Sequence, residues 1–442
     1  MLFAVQITVV GLGYVGLVTA TCLARLGQHI TGLESDPDKL AALGRGEAPY
    51  YEPHLQAELS EHQGDGRLRF TSDPAAALRD PDVVLICVGT PSRATGEADL
   101  SAVESVVGAI GQHLASRAVI ALRSTVPVGT TRRIEALLNE HLRERGGPSQ
   151  VAVLANPEFL RTGRALDDFL HPSRVVLGKT EVATDADVDI LETLYRPLEA
   201  PIFVLDAESA ELVKNASNTY LATRLTFVNE LAALCEATGA SIDEVVEAVA
   251  ADPRIGSDYF RPGIGYGGSC LPKDVRSMIA MGGTHGVDMA LARAVDAVNA
   301  EQPERAVDRL ERAMPDGLRS ARVALLGLAF KAGTDDIRDS PAIALANALR
   351  RRGAAVVACD PQAALVVAAH EPWIEIAEGP VAAATGADAV ILATDWPEYV
   401  TADLDPIAAV MRGRVLFDAR DALERERVVA AGFVHLAVGR GN

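Results

Sequence analysis

Residues 5–16 read VQITVVGLGYVG, and no other stretch limits the possible folds as much. A buried-strand run, VQITVV, leads directly into Gly11, Gly13 and Gly16 in G-x-G-x-x-G spacing, and an apolar helical pattern continues to about Leu26. In such a strand–turn–helix unit Gly11 allows the tight turn, Gly13 lets backbone approach a pyrophosphate, and Gly16 permits close helix–strand packing. The helix N-terminus supplies the anion-binding dipole. The motif alone is weak. Here a second strand, HITGLE at 29–34, ends on Glu34, 18 residues after Gly16, where an acid hydrogen-bonds the adenosine ribose hydroxyls. A carboxylate at that point repels a 2′-phosphate, so the expected cofactor is NAD and not NADP. Lys39 is a further candidate for a phosphate contact.

Strand and helix signals then alternate. DVVLICVGTP at 82–91 and AVIALRSTVP at 118–127 are later strands, and the alternation predicts a parallel sheet with crossover helices. From about 207 to 251 the strand signals vanish. AELVKNASNTYLATRLTFVNELAALCEATG carries apolar residues at three- and four-residue steps and predicts one long, largely buried helix ending near Gly239. Strands resume at ARVALLGLAF (321–330), AAVVACDP (354–361), ADAVILATDW (387–396) and RVLFDAR (414–420), after a Pro- and Gly-containing stretch near 303–317 read as a boundary. The predicted class is α/β: two Rossmann-like, doubly wound parallel-sheet domains joined by a long central helix and helical region. The expected domains are 1–203 for the dinucleotide, 204–302 for the helical region and cysteine segment, and 318–442 for a second Rossmann-like unit without its own glycine motif.

At 442 residues the chain is long enough for two or three domains, and 49% hydrophobic with 23% charged residues is a globular composition. Lys plus Arg number 41 against 60 Asp plus Glu, a formal charge of −19, which argues against nucleic acid or an anionic membrane as partner. A local cluster of cations and N–H groups can still receive a small anionic ligand. The start reads as a first strand and not as a signal peptide, and no stretch reaches the ~18 apolar residues of a membrane span. Five scattered cysteines without a CxxC pair fit reduced thiols in the cytoplasm, with no disulfide framework and no metal site.

RPGIGYGGSCLPKD at 261–274 is the most unusual segment. Gly263, Gly265, Gly267 and Gly268 cost conformational entropy, which suggests backbone wrapped closely around a ligand. Cys270 follows with Lys273 and Asp274 beside it, and a cation near a thiol favours a nucleophilic thiolate. Cys22, Cys87, Cys235 and Cys359 lie in apolar runs and read as buried structural residues. A nucleophilic thiol beside an NAD site implies carbonyl oxidation to the acid level through a thiohemiacetal and a thioester. Thr125 and Glu158 follow strands, where the ligand-facing loops of open sheets gather. Lys214 and Asn218, four apart, share one helix face and suit an anionic intermediate. From spacing alone, Lys214 could equally be a solvated lysine on an amphipathic helix.

GLGYVG, VGTP, STVPVGT, NPEFLRTGRALDDFLHPSRVVLG, KNASNTYLATRLTFVNE, GIGYGGSCLPKD and GLAFKAGTDDIRDSP stand in the order of the UDP-glucose / GDP-mannose dehydrogenase family. The chain resembles that family over almost its whole length, and DDFLHPSRVVLG and DPRIG lean toward the branch acting on UDP-glucose. The resemblance implies a four-electron oxidation of a nucleotide sugar's primary alcohol, UDP-glucose to UDP-glucuronate, with two NAD+ and a thioester on Cys270. It makes Lys214 the acid/base and electrostatic residue, with Asn218 supporting it, Asp274 assisting proton handling, and Glu158 with Thr125 managing the hydrolytic water. It places NAD against Gly11, Gly13, Tyr14, Val15, Gly16, Glu34, Lys39, Thr90, Thr125, Lys273 and Arg338. It places the UDP-sugar against Glu158, Phe159, Leu160, Arg161, Lys214, Asn218, Arg261, Gly263, Gly265, Tyr266, Gly267, Phe330, Lys331 and Arg420. Arg254 resembles an arginine that reaches a neighbouring subunit's site, implying at least a homodimer.

Two positions depart from the family pattern. Thr162 stands where many members have Glu near NAD, so that role is not carried over. Tyr266 replaces a common Phe, and its hydroxyl needs a partner if buried. The same chemistry on UDP-N-acetylmannosamine or GDP-mannose would share every catalytic residue. A single-step hydroxy-acid oxidoreductase would release one NADH and tolerate loss of Cys270, and a non-catalytic nucleotide-sugar sensor would release none.

Overall fold

The computed structural model describes residues 5–441, which fall into two compact units, one of residues up to Ser217 with 280–286 and the other of 218–279 with 287 onward. In the first unit, strands β1 (Gln6–Val10), β2 (His29–Leu33), β3 (Leu68–Thr71), β4 (Val83–Ile86), β5 (Val119–Leu122), β6 (Val153–Ala155), β7 (Val175–Lys179) and β8 (Ile202–Asp206) form one sheet in the order β3-β2-β1-β4-β5-β6-β7-β8. The central strands VVLI and VIAL are buried along their whole length, as befits a sheet covered on both faces. Strand alternation divides their side chains. Ile7, Val9, Val83, Leu85 and Val119 enter one core cluster, whereas Val10, Val84, Ile86, Ile120 and Leu122 enter the other.

The expectation of a wholly parallel sheet fails at one seam: β7 meets β6 antiparallel through Ala155 and Gly178, so β7 and β8 run against the rest. A Cβ on Gly178 would lie 2.5 Å from the Ala210 Cβ, so this glycine lets the long helix lie directly on the sheet.

The second unit holds β9 (Arg322–Leu326), β10 (Ala355–Cys359), β11 (Glu375–Ile376), β12 (Ala389–Leu392), β13 (Val415–Asp418) and β14 (Val434–Ala437). All pair parallel, in the order β11-β10-β9-β12-β13-β14. Two parallel-sheet α/β domains with a helical region between them in sequence are therefore present, as the alternation of signals predicted.

Two details of the helical region differ from expectation. The long helix spans Ala207–Thr238, but it is not largely buried: Leu212, Tyr220, Phe227 and Leu234 are 44%, 62%, 52% and 59% exposed, while Ala222, Val228, Ala232 and Cys235 are buried. Three- and four-residue steps mark an apolar stripe without revealing whether a second stripe is also apolar. The stretch near 303–317 begins inside a helix, Ala290–Ala313, which continues through Pro303. An interior proline costs roughly 3 kcal/mol. Pro303 has no N–H to give the carbonyl of Asn299, a residue whose side chain bonds both the N–H and the carbonyl of Tyr266.

Candidate active site

The glycine turn of the first unit divides its work unevenly. Gly11 has φ +87, a Cβ there would sit 2.7 Å from Val88, and its N–H donates to the Leu33 carbonyl at 2.9 Å. A Cβ on Gly16 would lie 1.9 Å from the Gly11 carbonyl oxygen, so only glycine lets the helix Tyr14–Arg25 begin this close to the turn. Gly13 has φ −64 and nothing within 4 Å of its Cβ position. Its side is open, at the first N–H groups of a twelve-residue helix, which is the space a pyrophosphate needs.

Glu34 is 6% exposed and accepts hydrogen bonds from the N–H groups of Leu12 (3.0 Å), Ser35 (2.8 Å) and Asp36 (3.0 Å). The carboxylate is thereby fixed beside the turn with lone pairs left for ribose hydroxyls. These residues fit a dinucleotide. Thr90 donates to the Thr125 carbonyl at 2.7 Å, joining the loops that follow β4 and β5. Val15 lies in the first turn of the helix, and Lys39 stands 3.8 Å from Asp36, half-exposed, with its ammonium over the Tyr50 ring.

The loop after β6 carries the residues expected to face the substrate in this unit. Lys214 Nζ lies 2.9 Å from Glu158 Oε1, with side-chain exposures of 3% and 5%. Glu158 Oε2 accepts the Leu160 N–H at 2.5 Å. Burial raises the Glu158 carboxyl, but the charge of Lys214 and these hydrogen bonds outweigh it and hold the group below the ordinary carboxylate range. Phe159 is capped by the Arg174 guanidinium at 3.9 Å and faces Lys214 at 5.5 Å, and Arg174 also reaches Ser217 at 3.0 Å. Arg161 makes a forked pair with Asp168, at 2.9 and 2.5 Å. Tyr14 donates its hydroxyl to Glu52, a 5%-exposed carboxylate that also accepts the Gly163 N–H at 2.6 Å and the Ala165 N–H at 2.7 Å. The hydroxyl of Thr162 stands beside the Tyr14 phenol.

In the second unit Asp274, 1% exposed, receives the Asn218 amide at 2.6 Å and the Lys273 ammonium at 2.5 Å. Its N–H donates to the Cys270 carbonyl, which places Cys270 directly before the helix Leu271–Thr284. A thiol at a helix N-terminus gains stabilisation as the thiolate. Cys270 is half-buried, with Ser269 Oγ 3.6 Å from its sulfur, whereas the other four cysteines are buried. Burial pushes the Cys22 and Cys87 thiols up to about 12 and the Cys359 thiol to about 11.

The glycine-dense loop is crowded by protein, which corrects the simplest reading of its composition. A Cβ on Gly267 would sit 2.2 Å from the Asp339 carbonyl, one on Gly268 2.8 Å from the Phe330 ring, and one on Gly265 2.9 Å from Asn299. The Gly268 N–H donates to the Arg338 carbonyl at 2.9 Å. These glycines bind the loop to the 330–339 segment. The Gly263 N–H donates to Asn229 Oδ1 at 2.8 Å, and a Cβ on Gly263 would lie 3.4 Å from the Arg420 guanidinium. Arg420 donates to the carbonyls of Ala393 and Phe330 at 2.7 and 2.9 Å, and burial lowers its guanidinium below the usual range. Lys331 lies over the Phe330 ring at 5.6 Å. Tyr266 is 6% exposed, and its hydroxyl has no hydrogen-bond partner among the described residues.

Gathering is therefore selective. Glu158 meets Lys214, Asn218 meets Asp274 and Lys273, and Phe330, Arg420 and the 263–268 loop come together. Arg254 and Arg261 are at the surface, Arg254 forked on Asp252 at 3.0 and 2.5 Å, and Arg338 is forked on Asp336 at 2.8 and 2.7 Å. Sequence reasoning missed Glu52, Arg174, Asn229 and Asn299. Arg174 and Asn229 lay within quoted motifs, HPSRVVLG and KNASNTYLATRLTFVNE, but nothing local marks Glu52 or Asn299.

Three family models match the chain in succession: the NAD binding domain of the UDP-glucose/GDP-mannose dehydrogenase family over residues 5–199, its central domain over 208–301, and its UDP binding domain over 324–425. A UDP-glucose 6-dehydrogenase of Pseudomonas aeruginosa is 40% identical over 444 aligned residues, covering 98% of this chain and 97% of that protein. One from Bacillus subtilis is 38% identical, with 98% of each covered. Among solved structures, a UDP-glucose dehydrogenase from Pyrobaculum islandicum superposes with a TM-score of 0.91 at 36% identity, covering 100% of this chain and 99% of that one. A UDP-D-ManNAc dehydrogenase from Pyrococcus horikoshii gives 0.85 at 29%, with 99% of each covered.

Proposed function

The chain belongs to the UDP-glucose/GDP-mannose dehydrogenase family and is an NAD-dependent nucleotide-sugar dehydrogenase; from that premise we propose that it oxidises UDP-glucose to UDP-glucuronate, with Cys270 as the covalent nucleophile. The observation that carries this reading is the unbroken match, across all three domains, to relatives named for UDP-glucose. Gly11, Gly13, Tyr14, Val15, Gly16, Glu34, Thr90 and Thr125 would hold the dinucleotide, with Lys39, Lys273 and Arg338 as further contacts. NAD, when bound, supplies the hydride acceptor for both two-electron oxidations.

The chain's own residues divide the remaining work. Lys214, charged beside Glu158, stabilises negative charge on the reacting oxygen, and Asn218 supports it one helical turn on. The Cys270 thiolate adds to the aldehyde carbon, and the alkoxide so formed takes up a proton, giving a thiohemiacetal. Asp274 assists proton handling there. At the thioester, Glu158 with Thr125 orients the water whose attack releases the carboxylate and returns the Cys270 thiol. Phe159, Leu160, Arg161, Arg261, Gly263, Gly265, Tyr266, Gly267, Phe330, Lys331 and Arg420 would line the UDP-sugar.

The assembly is a homodimer or a higher homo-oligomer built on it. Tyr220, Phe227 and Leu234 recur at seven-residue steps, are all more than half exposed, and lie on the side of the long helix away from its buried residues. A second copy of this chain covers that stripe, and light scattering should give a dimer that Phe227→Asp dissociates. No helix among the described residues is long and apolar enough to cross a membrane.

The deciding experiment counts NADH per sugar consumed, by absorbance, with UDP-glucose, UDP-N-acetylmannosamine and GDP-mannose. Two NADH from UDP-glucose, and at most one from Cys270→Ala, are the expected results. One NADH from the unaltered protein refutes the covalent route. Faster turnover of another nucleotide sugar refutes the substrate.

A further inference from the structure

We propose that Glu52 is a positioning residue that ties the seating of the dinucleotide to the loop bearing the substrate-side groups. Its carboxylate is buried and accepts from two separate parts of the first unit. Oε2 takes the hydroxyl of Tyr14, the residue that follows Gly13 and opens the helix of the glycine turn. The same oxygen takes the Gly163 N–H at 2.6 Å, and Oε1 takes the Ala165 N–H at 2.7 Å. Gly163, at φ +83, and Ala165 close the loop that begins at Glu158. That loop is pinned by three carboxylates. Glu158 holds the Leu160 N–H and pairs with Lys214, Asp168 holds the Arg161 N–H and guanidinium, and Glu52 holds the far end. Glu52 links it to the dinucleotide turn, bridging 111 residues of sequence to Gly163, whose N–H also reaches the Tyr14 hydroxyl at 3.0 Å.

The donor count makes the charge matter. Two N–H groups fixed in the backbone face the two carboxylate oxygens, and neither can reverse. In Glu52→Gln the amide offers one acceptor oxygen, so its NH2 must face either Gly163 N–H or Ala165 N–H. Volume is conserved while one end of the loop is repelled. A displacement of about 1 Å at such a loop is enough to cost on the order of 100-fold in turnover.

The inference rests on the family reading for the identity of the ligands, and its test separates the two. NADH affinity is measured by fluorescence titration without sugar. KM for NAD, KM for UDP-glucose, kcat and melting temperature are then measured for the unaltered enzyme, Glu52→Gln, Glu52→Asp and Tyr14→Phe. Glu52→Gln should raise both KM values by roughly tenfold and lower kcat, and Glu52→Asp should recover part of the loss because it keeps two acceptors. Tyr14→Phe, which keeps both loop N–H bonds to Glu52 and loses only the Gly163 N–H contact to the phenol oxygen, should weaken NADH binding more than it raises the KM for UDP-glucose. If Glu52→Gln melts earlier yet keeps both KM values and the NADH affinity, Glu52 is only structural and the proposal fails. If Glu52→Gln does not fold, Tyr14→Phe decides alone, and unchanged NADH affinity overturns the link. Failure of the unaltered enzyme to turn over UDP-glucose would refute the substrate assignment and leave the NADH titration to judge Glu52.

Discussion

Lys214 Nζ stands 2.9 Å from Glu158 Oε1, and both side chains are at most 5% exposed. Two charges so placed are held by each other, because each alone would face several kcal/mol of desolvation. The pair therefore has two consequences that can be measured apart, one in stability and one in rate.

Lys214→Ala leaves a buried carboxylate without its partner and should destabilise the protein by about 3–5 kcal/mol. Loss of acid/base work should lower kcat by about 10²- to 10⁴-fold. Glu158→Gln tests the sign of the coupling. The depressed Glu158 carboxyl contributes stability that is full above the unfolded value near 4.3 and is lost as pH falls through the lower folded value. Urea melts of the unaltered protein should weaken over that acid window more steeply than melts of Glu158→Gln. Parallel curves would show that the carboxylate is not held low.

Gly13 and Gly16 make a matched pair. Alanine at Gly16 puts a Cβ 1.9 Å from a backbone oxygen, so the turn must open, at more than the ~1–3 kcal/mol typical of overpacking. Alanine at Gly13 meets nothing within 4 Å and keeps an ordinary φ of −64. Gly13→Ala should change stability by no more than about 1 kcal/mol while weakening NADH binding by about tenfold or more. Thermal melts and NADH titration together separate the two, and full NADH affinity in Gly13→Ala would remove the glycine turn from the cofactor site.

Tyr266 keeps a hydroxyl in the core without a hydrogen-bond partner among the described residues, and burial pushes the phenol up. Tyr266→Phe removes that group at constant shape and should raise stability by about 1 kcal/mol. A lower melting temperature in the variant would show that the hydroxyl is satisfied in solution.

Asp421 titrates near neutrality. Burial, with a hydrogen bond that the protonated carboxyl donates to Asp243, raises it to about 7 against the opposing charge of Arg440, 2.8 Å away. A raised carboxyl contributes stability that is full below its unfolded value near 3.9 and is lost as pH rises through about 7. Asp421→Asn keeps the neutral form, and asparagine tolerates the φ of +49 found here. Relative to the unaltered protein the variant should gain stability steadily from about pH 5 to about pH 8; equal slopes across that range would contradict the assignment.

Much of the site was legible in the chain because its parts are local. The glycine turn, Glu34 and the cysteine before its helix are set by short spacings, and a strand–turn–helix unit can be read from a dozen residues. The composition of the 261–274 loop was informative about unusual backbone but not about its cause. Gly267 and Gly268 are crowded by Asp339 and Phe330, residues some 60–70 positions away, and no local pattern encodes that approach.

By itself, then, the amino-acid sequence determined the two α/β sheets, the long helix, the dinucleotide turn and the choice of Cys270 over four buried thiols, since hydrophobic period, turn chemistry and apolar context act over a few residues. Tertiary structure alone decided that Lys214 is buried against Glu158, that Asn218 and Lys273 converge on Asp274, that Glu52 joins Tyr14 to Gly163, and that β7 reverses. Each of these is a contact between distant segments. Its partner is chosen by what the packed sheets and helices bring within hydrogen-bond reach, and the energy of an ion pair or a shared carboxylate exists only after water has been excluded from that meeting point.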